Sequence, residues 1–105
     1  MPVASSEEYL TFIADQLSEC PLVRFRPMMG EYILYLDNKV VGGIYDDRLL
    51  IKATPSVKAL RPDGKMEIPY PGGKPMLLAE DPENREALAE LLTAAYGDLF
   101  LPEKK

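Results

Sequence analysis

Two polar dipeptides, Asp37-Asn38 and Asp46-Asp47, divide the middle of this 105-residue chain into short apolar segments. Asp and Asn tolerate left-handed backbone and bond to their own backbone, so both dipeptides predict two-residue turns between antiparallel strands. The predicted strands are Leu22 to Arg26, Glu31 to Leu36, Lys39 to Tyr45 and Arg48 to Ala53. This spacing predicts an antiparallel meander.

Glycines mark two special places in the predicted meander. Gly42 and Gly43 fall inside the third strand, where they predict a bulge or a close approach of two backbones. Gly30 follows Met28-Met29, and we expect it to adopt a backbone angle that other residues resist. We expect Met29 to fill a gap in the core, and the less favoured alternative is a binding groove lined by methionine.

An amphipathic helix is predicted from Ser6 to Ser18. Ser5 and Glu8 have the spacing of a capping box, and Pro21 ends the segment. Its apolar stripe consists of Leu10, Ile13, Ala14 and Leu17.

The clearest predicted helix lies near the end of the chain. Asp81 is the expected N-cap, Pro82 the first helical residue and Gly97 the C-terminal stop, ahead of a frayed tail from Leu101 to Lys105. Its apolar stripe consists of Leu88, Leu91, Leu92 and Ala95.

The region between the meander and the last helix is predicted to contain a short helix, a turn and two extended segments. Pro55 to Leu60 reads as a short helix capped by Thr54, and residues 61–64 read as a turn. Lys65 to Tyr70 and Met76 to Ala79 are extended segments, which their prolines limit to edge strands or loop. Pro71-Gly72-Gly73-Lys74 lacks the spacing of a phosphate-binding loop and is interpreted as a proline-rich hairpin or loop.

These elements predict one domain over residues 1–105 with an α+β fold in two layers, an antiparallel sheet with helices on one face. Four apolar side chains on alternating strand positions can meet the helix stripes: Val23, Phe25, Leu49 and Ile51.

Composition argues against catalysis. The chain has no histidine and a single cysteine, Cys20, which removes His-activated nucleophiles and any His/Cys zinc ligand set. We therefore expect no enzymatic activity, no metal and no cofactor. With no possible intrachain disulfide, no signal peptide and no segment of membrane-spanning length, we expect a cytoplasmic protein that does not associate with membranes.

Charge is unevenly distributed. The chain carries a net charge of −5, yet residues 23–74 hold nine basic and six acidic residues, or +3. Overall acidity opposes simple non-specific nucleic-acid binding, whereas the basic middle keeps a local binding face open.

A longer stretch resembles a known family. It runs from Arg26-Pro27-Met28-Met29-Gly30-Glu31-Tyr32 through Leu34–Lys39 and Gly42–Lys52, and Pro75-Met76 and the last helix fit the later part. This order of segments is similar to the N-terminal domain of the TfoX (Sxy) competence regulators. The resemblance implies a secretion-chaperone-like α-β3-α-β2-α fold, to which this chain adds a first strand. It also implies homodimers and no catalytic residues.

Full-length TfoX proteins promote natural competence in bacteria and carry a second, C-terminal domain, and residues 1–105 correspond to the first domain alone. We therefore predict a regulatory or protein-interaction module that binds a protein partner, with a second copy of the chain as one candidate.

The alternative is a regulator that binds nucleic acid through a basic sheet face. If Val23, Phe25, Leu49 and Ile51 face the helices, the basic residues between them face the other way. The predicted interaction face consists of Arg24, Arg26, Arg48 and Lys52, with Tyr35 or Tyr45 among them. Cations with interleaved aromatic rings suit nucleic acid, and they equally suit the rim of a protein interface.

Overall fold

The structure is a computed structural model that describes residues 7–20 and 22–100, with the backbone alone at residue 100. Its helices are α1 (Glu7–Gln16), α2 (Pro55–Leu60) and α3 (Arg85–Phe100). Its strands are β1 (Val23–Met28), β2 (Glu31–Leu36), β3 (Lys39–Tyr45), β4 (Arg48–Ile51), β5 (Met66–Glu67) and β6 (Met76–Leu78). They form one antiparallel sheet in the order β1-β2-β3-β4-β6-β5, which confirms the two-layer α+β prediction.

Left-handed residues build the meander turns. Asp37 and Asn38 have φ of 50° and 68°, and Asp46 and Asp47 have φ of 55° and 56°. Two successive residues with positive φ are typical of the type I′ turn, whose twist matches that of the flanking strands. Both predicted turns are confirmed.

A third turn, Met29-Gly30, joins β1 to β2. Gly30 has φ of 85°, as expected, and Met29 has φ of 53°. The prediction that Met29 fills the core is wrong, because its side chain is 96% exposed at the tip of the hairpin.

Gly42 lies where two strands approach closely. In the β2–β3 register Leu34 faces Gly42 while Tyr35 faces Val40, so Val41 is an additional, bulged residue. A Cβ atom on Gly42 would overlap the carbonyl oxygen of Leu50. The bulge and the close approach are therefore both present in β3.

The hydrophobic core lies between the helices and one side of the sheet. On the sheet, Leu49 and Ile51 are fully buried and Val23 and Phe25 partly buried, as predicted. The helices contribute Ile13, Val57, Leu88, Leu91, Leu92 and Ala95, all buried, and Leu17 in the turn directly after α1 is buried with them. Cys20 is a partly buried free thiol that packs against this cluster.

The first turn of α2 matches its prediction. Thr54 Oγ1 accepts a hydrogen bond from the Val57 N–H at 3.4 Å, and Pro55 occupies the first helical position. The turn at residues 61–64 is also present, closed by the Gly64 N–H donating to the Arg61 carbonyl.

The predicted limits of α3 are wrong at both ends. Asn84, not Asp81, caps the helix, since Asn84 Oδ1 accepts from the Ala87 N–H at 3.0 Å. Asp81 and Pro82 instead form a preceding turn that closes on the Asn84 N–H. Gly97 does not end the helix, because it keeps an ordinary negative φ and α3 continues to Phe100.

Of the two extended segments after α2, one matches its prediction and the other does not. β5 is an edge strand, as predicted. β6 is an internal strand between β4 and β5, not an edge or loop. The three prolines fall in the connection between β5 and β6, so they remove no sheet hydrogen bond. Ser5 of the predicted capping box, Pro21 and the predicted tail at residues 101–105 lie outside the described residues.

The outer edge of β1 offers few backbone donors. The Asp37 N–H bonds to the Leu22 carbonyl, so by alternation Val23, Phe25 and Pro27 direct their backbone groups away from β2. The Val23 N–H already bonds to Cys20, and proline has no N–H. Within β1, Phe25 alone therefore presents an N–H to the edge.

Candidate interaction face

The sheet has one covered face and one open face. Strand residues that face each other across neighbouring strands share a face, so the register separates the two sides. We call the side opposite the helices the open face; it carries Arg24, Arg26, Ile33, Tyr35, Val40, Tyr45, Leu50 and Leu78. No helix of the described chain packs on this side.

The connection between β5 and β6, residues 68–75, lies over part of the open face, and we call it the strap. The Tyr70 ring meets the Tyr45 ring edge-on with centroids 6.0 Å apart. Arg48 holds the start of the strap, because its guanidinium bonds to Glu67 at 2.7 Å and to the Ile68 carbonyl at 3.4 Å.

The strap and the sheet enclose a groove of about 830 Å³, which we call the strap groove. Its floor is apolar and aromatic, with Ile33, Tyr35 and Val40 from the open face. The strap side contributes Tyr70, Gly72, Gly73, Lys74 and Pro75, and Lys52 follows β4. The volume lies in the range of sites that hold small ligands or short segments.

A second, smaller hollow of about 400 Å³ lies beside it, towards the β1–β2 turn. Met28, Met29 and Tyr70 line this hollow, with side chains that are 53%, 96% and 57% exposed. Large apolar side chains exposed together on one surface are typical of interaction sites.

A further hollow, of about 950 Å³, lies elsewhere, between α2 and α3. Ala59, Ala87, Ala89 and Ala94 line much of it. These small side chains leave a gap between the two helices. Polar and charged residues also line it, namely Ser56, Asn84, Glu86, Glu90 and Thr93.

The four predicted interaction residues do not form one cluster. β1 and β4 are three strand spacings apart, about 14 Å, which separates Arg24 and Arg26 from Arg48. Arg24 lies over the Tyr35 ring, 5.5 Å from its centroid, and bonds to Asn38 Oδ1 at 2.7 Å. Arg26 is exposed and forms no ion pair with the described residues.

Arg48 and Lys52 have different surroundings. Arg48 is committed to Glu67 and the strap, so its charge is neutralised within the chain. Lys52 lines the strap groove. Lys74 and Tyr70 line the same groove, although neither was predicted from the sequence as an interaction residue. The Pro71–Pro75 segment could have indicated them, but it was interpreted only as a connection between strands.

Comparison with known proteins gives one family. The profile of the TfoX N-terminal domain matches residues 15–97. This chain belongs to the TfoX N-terminal domain family. A relative described as an uncharacterized 12.7 kDa protein in the trpE 5′ region, from Spirochaeta aurantia, is 38% identical over 104 residues. The match covers 98% of this chain and 90% of the relative. No solved structure matches the chain.

In this TfoX N-terminal domain, the segments that carry the family resemblance lie in β1 to β4 and contribute to both faces of the sheet. The Arg26–Tyr32 run is the β1–β2 hairpin tip, where Met28 and Met29 line the smaller hollow. The resemblance therefore maps to the exposed side of the sheet as well as to the core.

Titratable groups on the open face show one resolved perturbation. Burial raises the pKa of the Tyr45 hydroxyl, and the neighbouring Tyr70 and Glu31 raise it further. Tyr45 is therefore neutral at physiological pH and can donate a hydrogen bond, but it is not a base. Within residues 7–20 and 22–100, no three His, Cys, Asp or Glu side chains are grouped to hold a metal ion.

No helix in the described part of the TfoX N-terminal domain has the length and apolar composition to cross a membrane.

Proposed function

We propose that this domain is a non-enzymatic regulatory module that binds a protein partner through the open face of its sheet. The exposed apolar cluster formed by Met28 and Met29 near the β1–β2 turn and Tyr70 of the strap is the observation that supports it. Methionine and tyrosine adapt to a partner surface and are enriched at interfaces, whereas a monomer without partners gains nothing by exposing them.

Met29 strengthens this argument. It adopts left-handed backbone, which costs a non-glycine residue free energy, and at 96% exposure it gains almost no burial in return. Strain combined with exposure at one apolar residue is typical of a functional position.

Site-specific photo-crosslinking in the native host tests the proposal. A photoreactive benzoylphenylalanine replaces Met29 on the open face, and the control replaces Thr93, which is exposed on α3. We expect a discrete adduct from position 29 and none from position 93. An adduct of twice the chain mass identifies a second copy as the partner, and light scattering after size-exclusion chromatography then shows a dimer. Equal labelling from both positions, together with a strict monomer, contradicts the proposal.

A nucleic-acid-binding regulator is the second candidate, because Arg24 lies over Tyr35 in an arrangement that can pair a phosphate and stack a base. A gel-shift titration at low salt against single- and double-stranded DNA and RNA tests it. Charge reversal at Arg24 and Arg26 should abolish a genuine shift, and no shift at micromolar protein eliminates this candidate.

A further inference from the structure

The charges that line the strap groove have one sign. Lys52 and Lys74 line it, and none of the Asp and Glu residues that the structure describes does. The whole chain nevertheless carries a net charge of −5. The groove is therefore a locally basic channel on an acidic protein.

Neither lysine is neutralised within the described chain. The ion pairs among residues 7–20 and 22–100 join Arg48 and Lys65 to Glu67, and Arg85 to Asp15. Arg24, next to the groove, bonds to a neutral amide and not to a carboxylate. Arg48 pairs with the Glu67 carboxylate at the base of the strap, whereas Lys52, Lys74 and Arg24 pair with no carboxylate of the described residues.

The groove also has the surfaces that a short segment of polypeptide needs. Ile33 and Val40 form an apolar floor, and Tyr35 and Tyr70 offer rings that can anchor a side chain. Gly72 has no side chain, and nothing lies within 4 Å of the position that a Cβ would occupy there. The strap therefore leaves open space at this residue. β2 and β3 are internal strands, so a segment here contacts side chains and cannot extend the sheet.

We propose that the strap groove binds an extended acidic segment of the partner protein, with an aliphatic or aromatic side chain on the floor and carboxylates against Lys52 and Lys74. The inference rests on the proposed function, and it specifies the chemistry of the segment. Charge complementarity selects the acidic partner over a basic one. A long polyanion fits less well, because the net charge of −5 repels it beyond the groove, whereas a short segment meets only the local field.

Arrayed decapeptides test the proposal with the complete chain. The acidic set carries two to four Asp or Glu around one Leu, Phe or Tyr, and the matched basic set has Lys in place of each acid. The groove variant is Lys52→Glu/Lys74→Glu. The control is Lys39→Glu/Lys58→Glu, two exposed lysines outside the groove. Both double variants change the net charge by the same amount, so a difference between them reports on the groove alone.

We expect the wild type to retain acidic peptides and not basic ones. The groove variant should bind them about tenfold more weakly or worse, and the control should stay within about twofold of wild type. Circular dichroism confirms that both variants fold. Equal losses in the two variants, a preference for the basic set, or displacement of bound peptide by a single-stranded DNA 12-mer at equimolar amounts each overturn the proposal.

Crosslinking from position 29 separates this inference from the proposed function. An adduct that persists unchanged in the Lys52→Glu/Lys74→Glu variant is consistent with a protein-interaction module but contradicts the binding of an acidic segment in the strap groove. Loss of that adduct in the groove variant, with retention in the control variant, supports both the interaction module and the binding of an acidic segment in the strap groove.

Discussion

The Asp98 carboxylate on α3 accepts two hydrogen bonds from Ser56 on α2, one from the backbone N–H at 2.7 Å and one from the hydroxyl at 2.7 Å. One side chain thereby satisfies a free N–H at the start of a six-residue helix and ties that helix to α3. A helix this short has little stability of its own, so α2 depends on this tertiary contact.

Replacement of Asp98 should therefore destabilise the domain in a pH-dependent way. Hydrogen bonds from Ser56 and Thr54 hold the pKa of Asp98 below its ordinary value of 3.8. A lowered pKa contributes stability that is present above 3.8 and is lost as pH falls through the folded-state pKa. Asp98→Asn should unfold at lower urea than wild type at pH 7, and the gap should narrow at pH 3. Asp63→Asn, at an exposed turn, is the control; a gap that does not change with pH contradicts this assignment.

Two glycines should respond in opposite ways to the same change. Gly42→Ala places a Cβ against the Leu50 carbonyl oxygen and should cost about 2 kcal/mol or more. Gly97→Ala lies inside α3 with open space around it and should stabilise by about 0.5–1 kcal/mol. Urea unfolding of both variants gives the two free energies. Destabilisation by Gly97→Ala would indicate that α3 ends there after all.

Replacing Met29 by Asn should increase the stability of the fold and weaken partner binding. Asn tolerates left-handed backbone, so Met29→Asn should raise the free energy of unfolding by about 0.5–1 kcal/mol. The same change removes an exposed apolar side chain and should weaken capture of the partner. Met66→Asn, an exposed methionine in β5 with ordinary backbone, should bring no such gain. Chemical unfolding measures the first effect, and a gain at both positions would argue against strain at Met29.

The Arg48–Glu67 ion pair should hold the strap in place. Both side chains are about one quarter exposed, and their contact is 2.7 Å. A double-mutant cycle with Arg48→Gln and Glu67→Gln should give a coupling free energy of about 0.5–1 kcal/mol. Amide hydrogen exchange should accelerate in residues 68–75 in either single variant, while exchange in β2 and β3 stays unchanged. Uniform acceleration across the sheet would show that the pair supports the whole fold instead.

Much of the fold follows from local sequence because its signals are local. The polar dipeptides at residues 37–38 and 46–47 specify their own turns, and alternation in β1 specifies which side faces the helices. The start of α3 could not be read this way, because Asp81 and Asn84 are both good caps and the preceding turn selects Asn84. Gly97 is compatible with a helix interior as well as a stop, and only the tertiary position of α3 decides between them.

The interaction face was predicted less completely than the fold. Side-chain alternation placed Arg24 and Arg26 on the open side. It could not reveal that Glu67, nineteen residues from Arg48, neutralises that arginine. Nor could it place Lys74 in the same groove as Lys52, since that depends on the path of the strap across the sheet.

The sparse donors at the outer edge of β1 limit the geometry of any assembly. Adding a strand from another molecule requires a row of alternating donors and acceptors, and β1 presents the donor of Phe25 alone. A partner, including a second copy of the chain, is therefore not expected to prolong the sheet at β1, and the open face remains available for an additional layer. Concentrated solutions of this protein are accordingly protected from growth into continuous fibrils through β1.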